Sequence, residues 1–600
     1  MEKCYFDTAL HFVQTEYGKQ PPFSGFLPGI AGPWGIPTWC NYNNRGQAVC
    51  SFGVQDKDHA ILEFTAASTA YRCTAQTGFR TFLKQDGAVI EPFADGKGTM
   101  VIEPNALRLE WRNEQASVEV VYFTLPNERM AGLCRRLRVQ NRSSAETTLE
   151  LLDGLATIVP YGVRDEKLKQ EPNLSTAWMR VENVAESLPR FGIRASMEDS
   201  THVAEIRGRN FRLAFAEDGQ LLPVLVRPEL VFGWDTSLLR PVAFEQAPLS
   251  ALLGKPSVNE NFLPCCMTAW HGTLPANATV ELWEFYGQAE DEQELTAFCE
   301  KALSKAYFEA KLTQARALAE TLTAQVRCET ADPIFDGYVR QSFLDNVMRG
   351  GFPYRLGAGQ DTLPVYLYSR KHGDPEREYN AFCLDRSYFS QGNANFRDIC
   401  QNRRSDTFFH PTAGQFNLQL FFELLQPDGY LPLVLEPVSY RAQHPEHLVQ
   451  LLAAPYRAEA QELLDAPFSM GRLAMAAEGW ALPDPAGFLA AVLEDSVMEP
   501  NAAFQAGYWS DHWTYLLDLL EAELAIYPER EAALLFGAAQ YRWFSGQAEV
   551  LPQTQRYCQT ERGLRQYHCV APRTTDEKWV TAQDGSTVYS TLFEKLVLLC

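Results

Sequence analysis

The sequence predicts a multidomain α+β protein: an N-terminal antiparallel β-sandwich over residues 1–288, a helical linker over 289–332 and a helical domain over 333–600. Three observations carry this. Six hundred residues exceed what one hydrophobic core serves, so two or more domains are expected. Residues 1–285 read as β-forming runs separated by turn residues, with helix signals nearly absent. Near residue 289 the composition switches to Ala, Glu, Leu and Lys at helical spacing.

In chain order, "FSGFLPGIAGPWGIPTWCNYNNRGQAVCSFG" (23–53) is heavy in Gly, Pro, Trp and Asn and predicts neither helix nor regular strand. A long ordered loop of this kind is either functional or an Ω-loop that seals the sandwich. Strands are expected at 107–112, 117–125, 134–143, 147–155, 212–216, "LVFGW" (230–234) and 279–287. Residues 290–326 predict one or two long helices, a structural connector or a coiled-coil face. Beyond 333, amphipathic or apolar helices are expected at 333–350, 416–426, 512–528 and 590–600, with polar loops between them that carry function.

Composition excludes several classes. A net charge of −22 argues against nucleic acid and anionic membrane as partners, since both need a basic face. No apolar leader opens the chain and no run approaches 18 apolar residues, so a cytoplasmic protein without a membrane span is expected. The 14 Cys are scattered without C-x-x-C spacing, which fits reduced thiols rather than a disulfide framework or a zinc site. His444 and His447 flank Pro445 and read as a surface turn, so no metal is expected. P-loop, G-x-G-x-x-G and G-x-S-x-G motifs are absent, leaving NTP, dinucleotide and esterase chemistry without support.

Three polar stretches remain. "SQGNANFRDICQNRRSD" (390–406) concentrates amides, carboxylates and guanidiniums, with Tyr388 beside it. Sugars need many donors and acceptors plus aromatic faces, and Arg grips vicinal hydroxyls or anions in a fork. An ion-pair network tying helices together is the other reading. "YSRKHGDPEREYN" (368–380) groups Arg370, Lys371 and His372, either as an anion site or as partners for Asp374 and Glu376. "GYWSDHWTY" (507–515) places Trp509, Asp511, His512 and Trp513 before a helix, either as a sugar subsite or as an N-cap Asp with buried Trp residues.

Together with "GFRTF" (78–82) and "GLRQYH" (563–568), these stretches resemble glycoside hydrolase family 94 and related disaccharide and oligosaccharide phosphorylases, above all the large bacterial phosphorylases of 1,2- or 1,3-linked β-glucans. The resemblance implies a β-sandwich, a helical linker and an (α/α)₆ barrel. It implies that Arg397, Asp398, Gln401 and Asn402 grip a glucosyl unit, with Asn402 standing where the family has Asp. Tyr388, Trp509, Asp511 and His512 join them as substrate-binding residues. Arg370, Lys371 and His372 are the phosphate-binding candidates. The N-terminal loop of related enzymes reaches over an active site, sometimes the partner subunit's, so a homodimer enters as an expectation.

The implied activity is inverting phosphorolysis: inorganic phosphate attacks a β-gluco-oligosaccharide and releases glucose 1-phosphate, with no cofactor. Phosphate is already an anionic nucleophile, so the base of an inverting hydrolase is dispensable, whereas the acid is not. The family's acid lies in a motif resembling Trp-Asn-Asp-Ala, which this sequence lacks. Only 268 residues run from Pro333 to Cys600, few for twelve helices, so the barrel is expected to be incomplete and the acid to lie beyond residue 600. Asp511 is the candidate acid inside the chain. A non-catalytic β-glucan-binding protein is the alternative, and an inverting hydrolase, which would need a second carboxylate as base, is a further one.

Overall fold

The computed structural model describes residues 3–198, 200–202, 204–357, 363–371, 378, 381–503, 507–575 and 577–599. It is a mixed α+β structure with large antiparallel sheets and many helices. The chain divides into two compact units, Met1–Ser342 with Gly373–Arg386, and Phe343–His372 with Ser387–Cys600.

Among the described residues, the first unit is built on sheets of ten, five and four strands. The centre of the ten-stranded sheet runs Ala106–Arg112, Ala116–Thr124, Ala131–Asn141, Thr279–Ala289, each antiparallel to the next. Alternation along these strands sends side chains to two different cores. Val118, Val120 and Tyr122 join Leu149, Leu151 and Phe79 of the five-stranded sheet and Phe52 of the four-stranded one. Val121 and Phe123 point the other way, onto Leu295, Phe298, Phe308 and Leu312 of the helices Glu292–Ala302 and Lys305–Thr323. Where both faces of a strand are covered, successive positions can all be apolar, as "VVYF" (120–123) shows in Ala116–Thr124.

One charged cluster sits inside the first core. Arg135 is fully buried, with Nη2 3.0 Å from Asp153 Oδ1 and Nη1 3.0 Å from Glu284 Oε2. Its Nη2 also donates to Gln47 Oε1 at 2.7 Å. One cation between two carboxylates leaves a negative excess in a dry site, so burial and then the charge of Asp153 push the carboxyl of Glu284 upward.

Two expectations for this unit need correcting. Residues 23–53 are not an irregular loop: Ser24–Leu27, Thr38–Asn43 and Val49–Val54 are strands of the four-stranded sheet. Asn41, Asn43 and Ser51 are buried and bonded inside the fold rather than alternating outward: Asn43 Nδ2 donates to Thr74 Oγ1 at 2.8 Å, and Asn41 Nδ2 to Ser51 Oγ at 3.3 Å. The turn before them holds Gly32 at φ 80°, where a Cβ would meet Asn127 Oδ1 at 2.1 Å. Helices also occur where few were expected. Ala67–Thr77 is one, and the first three residues of "LVFGW", Leu230–Phe232, lie in the Pro228–Phe232 helix, not in a strand. Pro228 opens that helix and Gly233, at φ 63°, ends it. Val231 and Phe232 cover Phe82 and Leu152 of the five-stranded sheet.

In the second unit, helices occur at the four expected places: the end of Pro333–Gly350, then Ala413–Glu423, His512–Ile526 and Leu592–Leu599. It also contains an unexpected three-stranded sheet, in the order Ala394–Asn395, Val434–Ala442, Ser496–Ala503. The middle strand carries Pro437, and the pairing slips between Glu436 and Ser439, which spoils a period-two pattern. Residues 445–448 form a short helix rather than a bare turn, with exposed His444 at its start and 2.7 Å from Asp495 Oδ1. No described helix is long and apolar enough to cross a membrane.

Candidate functional site

The polar stretch 390–406 falls into three parts. Ser390, Gln391 and Asn393 are buried ahead of the short strand Ala394–Asn395, and the helix Phe396–Arg403 follows at once. The Phe396 N–H donates to Leu433 O at 2.7 Å, which ties the helix start to the middle strand of the three-stranded sheet. The helix buries Phe396, Ile399, Cys400 and Arg403, and it presents Arg397, Gln401 and Arg404 to solvent. Arg403 is structural: its Nε donates to Gly350 O at 2.6 Å, and its guanidinium lies 3.5 Å from the centre of the Tyr366 ring. Tyr366 in turn donates to Asp406 Oδ2 at 2.7 Å, and burial raises the Asp406 carboxyl to about 7.

Arg397 and Asp398 occupy the first turn of this helix. Asp398 is held by Asn395 Nδ2 at 3.1 Å from Oδ2, and Arg397 Nε stands 3.5 Å from its Oδ1. Asn402 Nδ2 donates to the Asp398 backbone carbonyl at 2.6 Å, so this amide serves its own helix.

The second wall is the N-terminal end of His512–Ile526. The His512 ring lies nearly parallel to Phe396, with centroids 4.6 Å apart at 11°, and to Trp509, at 6.1 Å and 15°. Cys400 and Tyr515 O also meet, at 3.3 Å. These contacts bring Arg397, Asp398, Trp509, Asp511 and His512 to one place. Asp511 is exposed, with Tyr515 Oη 3.4 Å from its Oδ2. His512 is buried, and its Nδ1 has no hydrogen-bond partner among the described residues. Burial pushes its pKa down to about 4; Arg397 pushes the same way, while Asp511 and Asp398 oppose. At neutral pH His512 is therefore an uncharged flat ring.

Of the other sequence candidates, Tyr388 is buried and donates to Glu478 Oε1 at 2.6 Å. Trp513 Nε1 donates to Gly429 O at 3.2 Å. Arg370 is buried, with its backbone N–H on Met348 O at 3.0 Å, and Lys371 is partly buried. His372, Asp374 and Glu376 lie outside the described residues. Sequence reasoning missed Glu436, on the middle strand beside Asn501. Burial raises its carboxyl and nearby Lys371 opposes the shift. A lone carboxylate inside the apolar run "LPLVLEPV" was the available signal.

The site thus offers an aromatic stack edged by a guanidinium, two carboxylates and amides. Phe396 and His512 are buried within the stack, so the half-buried Trp509 is the ring left for the C–H face of a neutral, hydroxyl-rich ligand, with charged acceptors for its hydroxyls. No family model and no curated protein matches the chain. Among solved structures, a polysaccharide lyase aligns over 43% of this chain and 33% of its own length, at 8% identity and a TM-score of 0.25. At that distance the likeness carries no argument about fold or function.

Proposed function

We propose that the protein is an inverting glycoside phosphorylase that uses inorganic phosphate to release glucose 1-phosphate from β-linked gluco-oligosaccharides, resembling glycoside hydrolase family 94. In this reading Met1–Ser342 holds the β-sandwich and helical linker, and the second unit is part of an (α/α)₆ barrel. The observation that supports it is the convergence of Arg397 and Asp398 with the Phe396–His512–Trp509 rings, residues separated by more than a hundred positions in sequence. A glucosyl unit would lay a C–H face on the half-buried Trp509 ring, which the buried His512 and Phe396 support from behind, while Asp398 accepts from its hydroxyls and Arg397 donates to them. Lys371 is the described residue that could bring phosphate charge near the strand of Glu436.

The test is calorimetry with β-1,2- and β-1,3-gluco-oligosaccharides, with and without phosphate, followed by an assay for glucose 1-phosphate. Asp398→Ala should weaken binding by about 1.5–3 kcal/mol, roughly tenfold or more. Unchanged affinity would remove the site. Binding without glucose 1-phosphate would favour a glucan-binding protein.

A further inference from the structure

In the second unit, Tyr557–Thr560 and Gly563–Gln566 form a two-stranded antiparallel hairpin, and among the described residues no third strand joins it. Its turn is held by Thr560 Oγ1, which accepts the Arg562 N–H at 3.2 Å and donates to Gly563 O at 2.8 Å. Its base is tied down. The Tyr567 N–H donates to Arg556 O at 2.7 Å, the Leu551 N–H to Cys569 O at 2.8 Å, and Ala548–Val550 then pairs with Val570–Pro572. Beyond that base every residue from Tyr557 to Gln566 except Gly563 is exposed, Leu564 by 61%. A hairpin of two strands is marginal in water, and its open edges are templates for a further strand.

The register decides which backbone groups face that edge. In an antiparallel ladder, opposed residues alternate between bonding each other and turning their N–H and C=O groups outward. Tyr567 bonds to Arg556, so Arg565, two residues away and opposite Cys558, also bonds inward. Leu564 and Gln566, opposite Gln559 and Tyr557, therefore turn theirs to the outer edge. The Leu564 carbonyl there takes Arg565 Nη1 at 3.2 Å, a contact that a strand N–H could replace. Two outward-turned residues offer an incoming strand about four hydrogen bonds.

The side chains set what that strand should carry. Leu564 stands on one face of the hairpin and Arg565 on the other. Arg562, Arg565 and His568 are exposed there against a single acidic neighbour, Glu561, so the hairpin is locally cationic on a chain of net charge −22. At physiological salt, charges more than about 8 Å away are largely screened, so a short segment laid along the edge feels mainly the arginines. An acidic residue directly opposite Arg565 and an apolar one opposite Leu564 would each stabilise the pairing. A long polyanion would also meet the acidic remainder of the chain.

We propose that the outer edge of Gly563–Gln566 docks an extended segment of another protein, one in which apolar and acidic residues alternate, as a third antiparallel strand. The experiment is fluorescence anisotropy on the full chain with a fluorescein-labelled peptide of alternating Val and Glu, about ten residues long. The peptide should bind, and its Val–Lys counterpart should not. With Val opposite Leu564 and Gln566, the Val amides are the ones that bond, so methylating them should weaken binding about tenfold or more. Methylating the Glu amides, which face away, should leave affinity unchanged. Gln566→Pro removes an N–H that the hairpin's own ladder does not use, so it should weaken binding to the same extent with the unfolding midpoint unmoved. The methylated peptides need no variant, so the test stands even where Gln566→Pro misfolds. Equal binding of both methylated peptides would show charge attraction without strand addition and overturn the proposal, as would no binding of the Val–Glu peptide. Self-association of the wild-type chain that Gln566→Pro abolishes, read by sedimentation, would make a second copy the occupant and overturn the acidic partner.

Discussion

His512 shows how packing sets chemistry at a single position. Held flat between Phe396 and Trp509 and shut from solvent, it has a pKa of about 4 against an ordinary value of 6.5. The unfolded chain therefore binds a proton that the folded chain refuses between those values. The stability this ring contributes is complete above pH 6.5 and is lost as pH falls toward 4, by up to roughly 3 kcal/mol. His512→Phe keeps the stack and removes the titration. Urea unfolding of the variant should lose less stability than wild type between pH 7 and pH 4; parallel pH curves would show that the ring is not held neutral. The same substitution should leave glucan binding at pH 7 nearly intact, because the buried ring supports Trp509 and does not itself face a ligand.

Strands and helices differ in how much of them the sequence exposes. Helices at 413–423, 512–526 and 592–599 are legible because an apolar face repeats at helical spacing. The central strands of the ten-stranded sheet are legible because "LRLEWR" and "SVEVVYF" are rich in β-formers. The strands at 38–43 and 49–54 are not, since Asn41, Asn43 and Ser51 are satisfied by one another and by Thr74 across long sequence separations. The candidate site divides in the same way. Arg397 and Asp398 stand out as polar residues in a polar run, whereas the stacking of Phe396 on His512 is a tertiary fact with no local signal. Arg135 is the clearest element-scale test. Arg135→Met leaves Asp153 and Glu284 facing each other in the sheet core, and should cost about 3–5 kcal/mol by urea unfolding at pH 7. In wild type the raised Glu284 carboxyl contributes stability below its ordinary value near 4.5, and this is lost as pH rises through the higher folded value. The variant should therefore regain stability on mild acidification, when the Glu284 carboxyl takes a proton. A loss independent of pH would point to packing alone.

At the scale of the whole molecule, the two units interleave along the chain. The first takes Met1–Ser342 and then Gly373–Arg386 after the chain has begun the second. The described part of that returning segment is firmly attached. Phe382 packs at 5.4 Å from Trp39 and 5.7 Å from Phe64, in one core with Ala60 and Leu384. Leu384 N–H donates to Gln55 O at 2.8 Å, and Arg386 Nη2 stands 3.2 Å from Glu294 Oε2. Phe382→Ala should cost about 3–5 kcal/mol, read as a drop in the unfolding transition of the first unit. A fragment ending at residue 342 should bind the dye ANS through exposed Trp39 and Phe64, and the same fragment carrying residues 373–386 on a flexible linker in place of 343–372 should bind less. Equal dye binding by both fragments would show that the returning segment is dispensable.

That returning segment also has a consequence in time. On the ribosome the N-terminal unit cannot complete its fold when its last β-strand emerges. It must wait for Phe382 and Leu384, more than 90 residues beyond the end of the Thr279–Ala289 strand, or roughly 5–20 s at ordinary rates of synthesis. During that interval the indole of Trp39 is an open docking point for a nascent-chain chaperone. Codons that slow translation between 343 and 386 would lengthen the exposure and lower the yield of native protein without changing one amino acid.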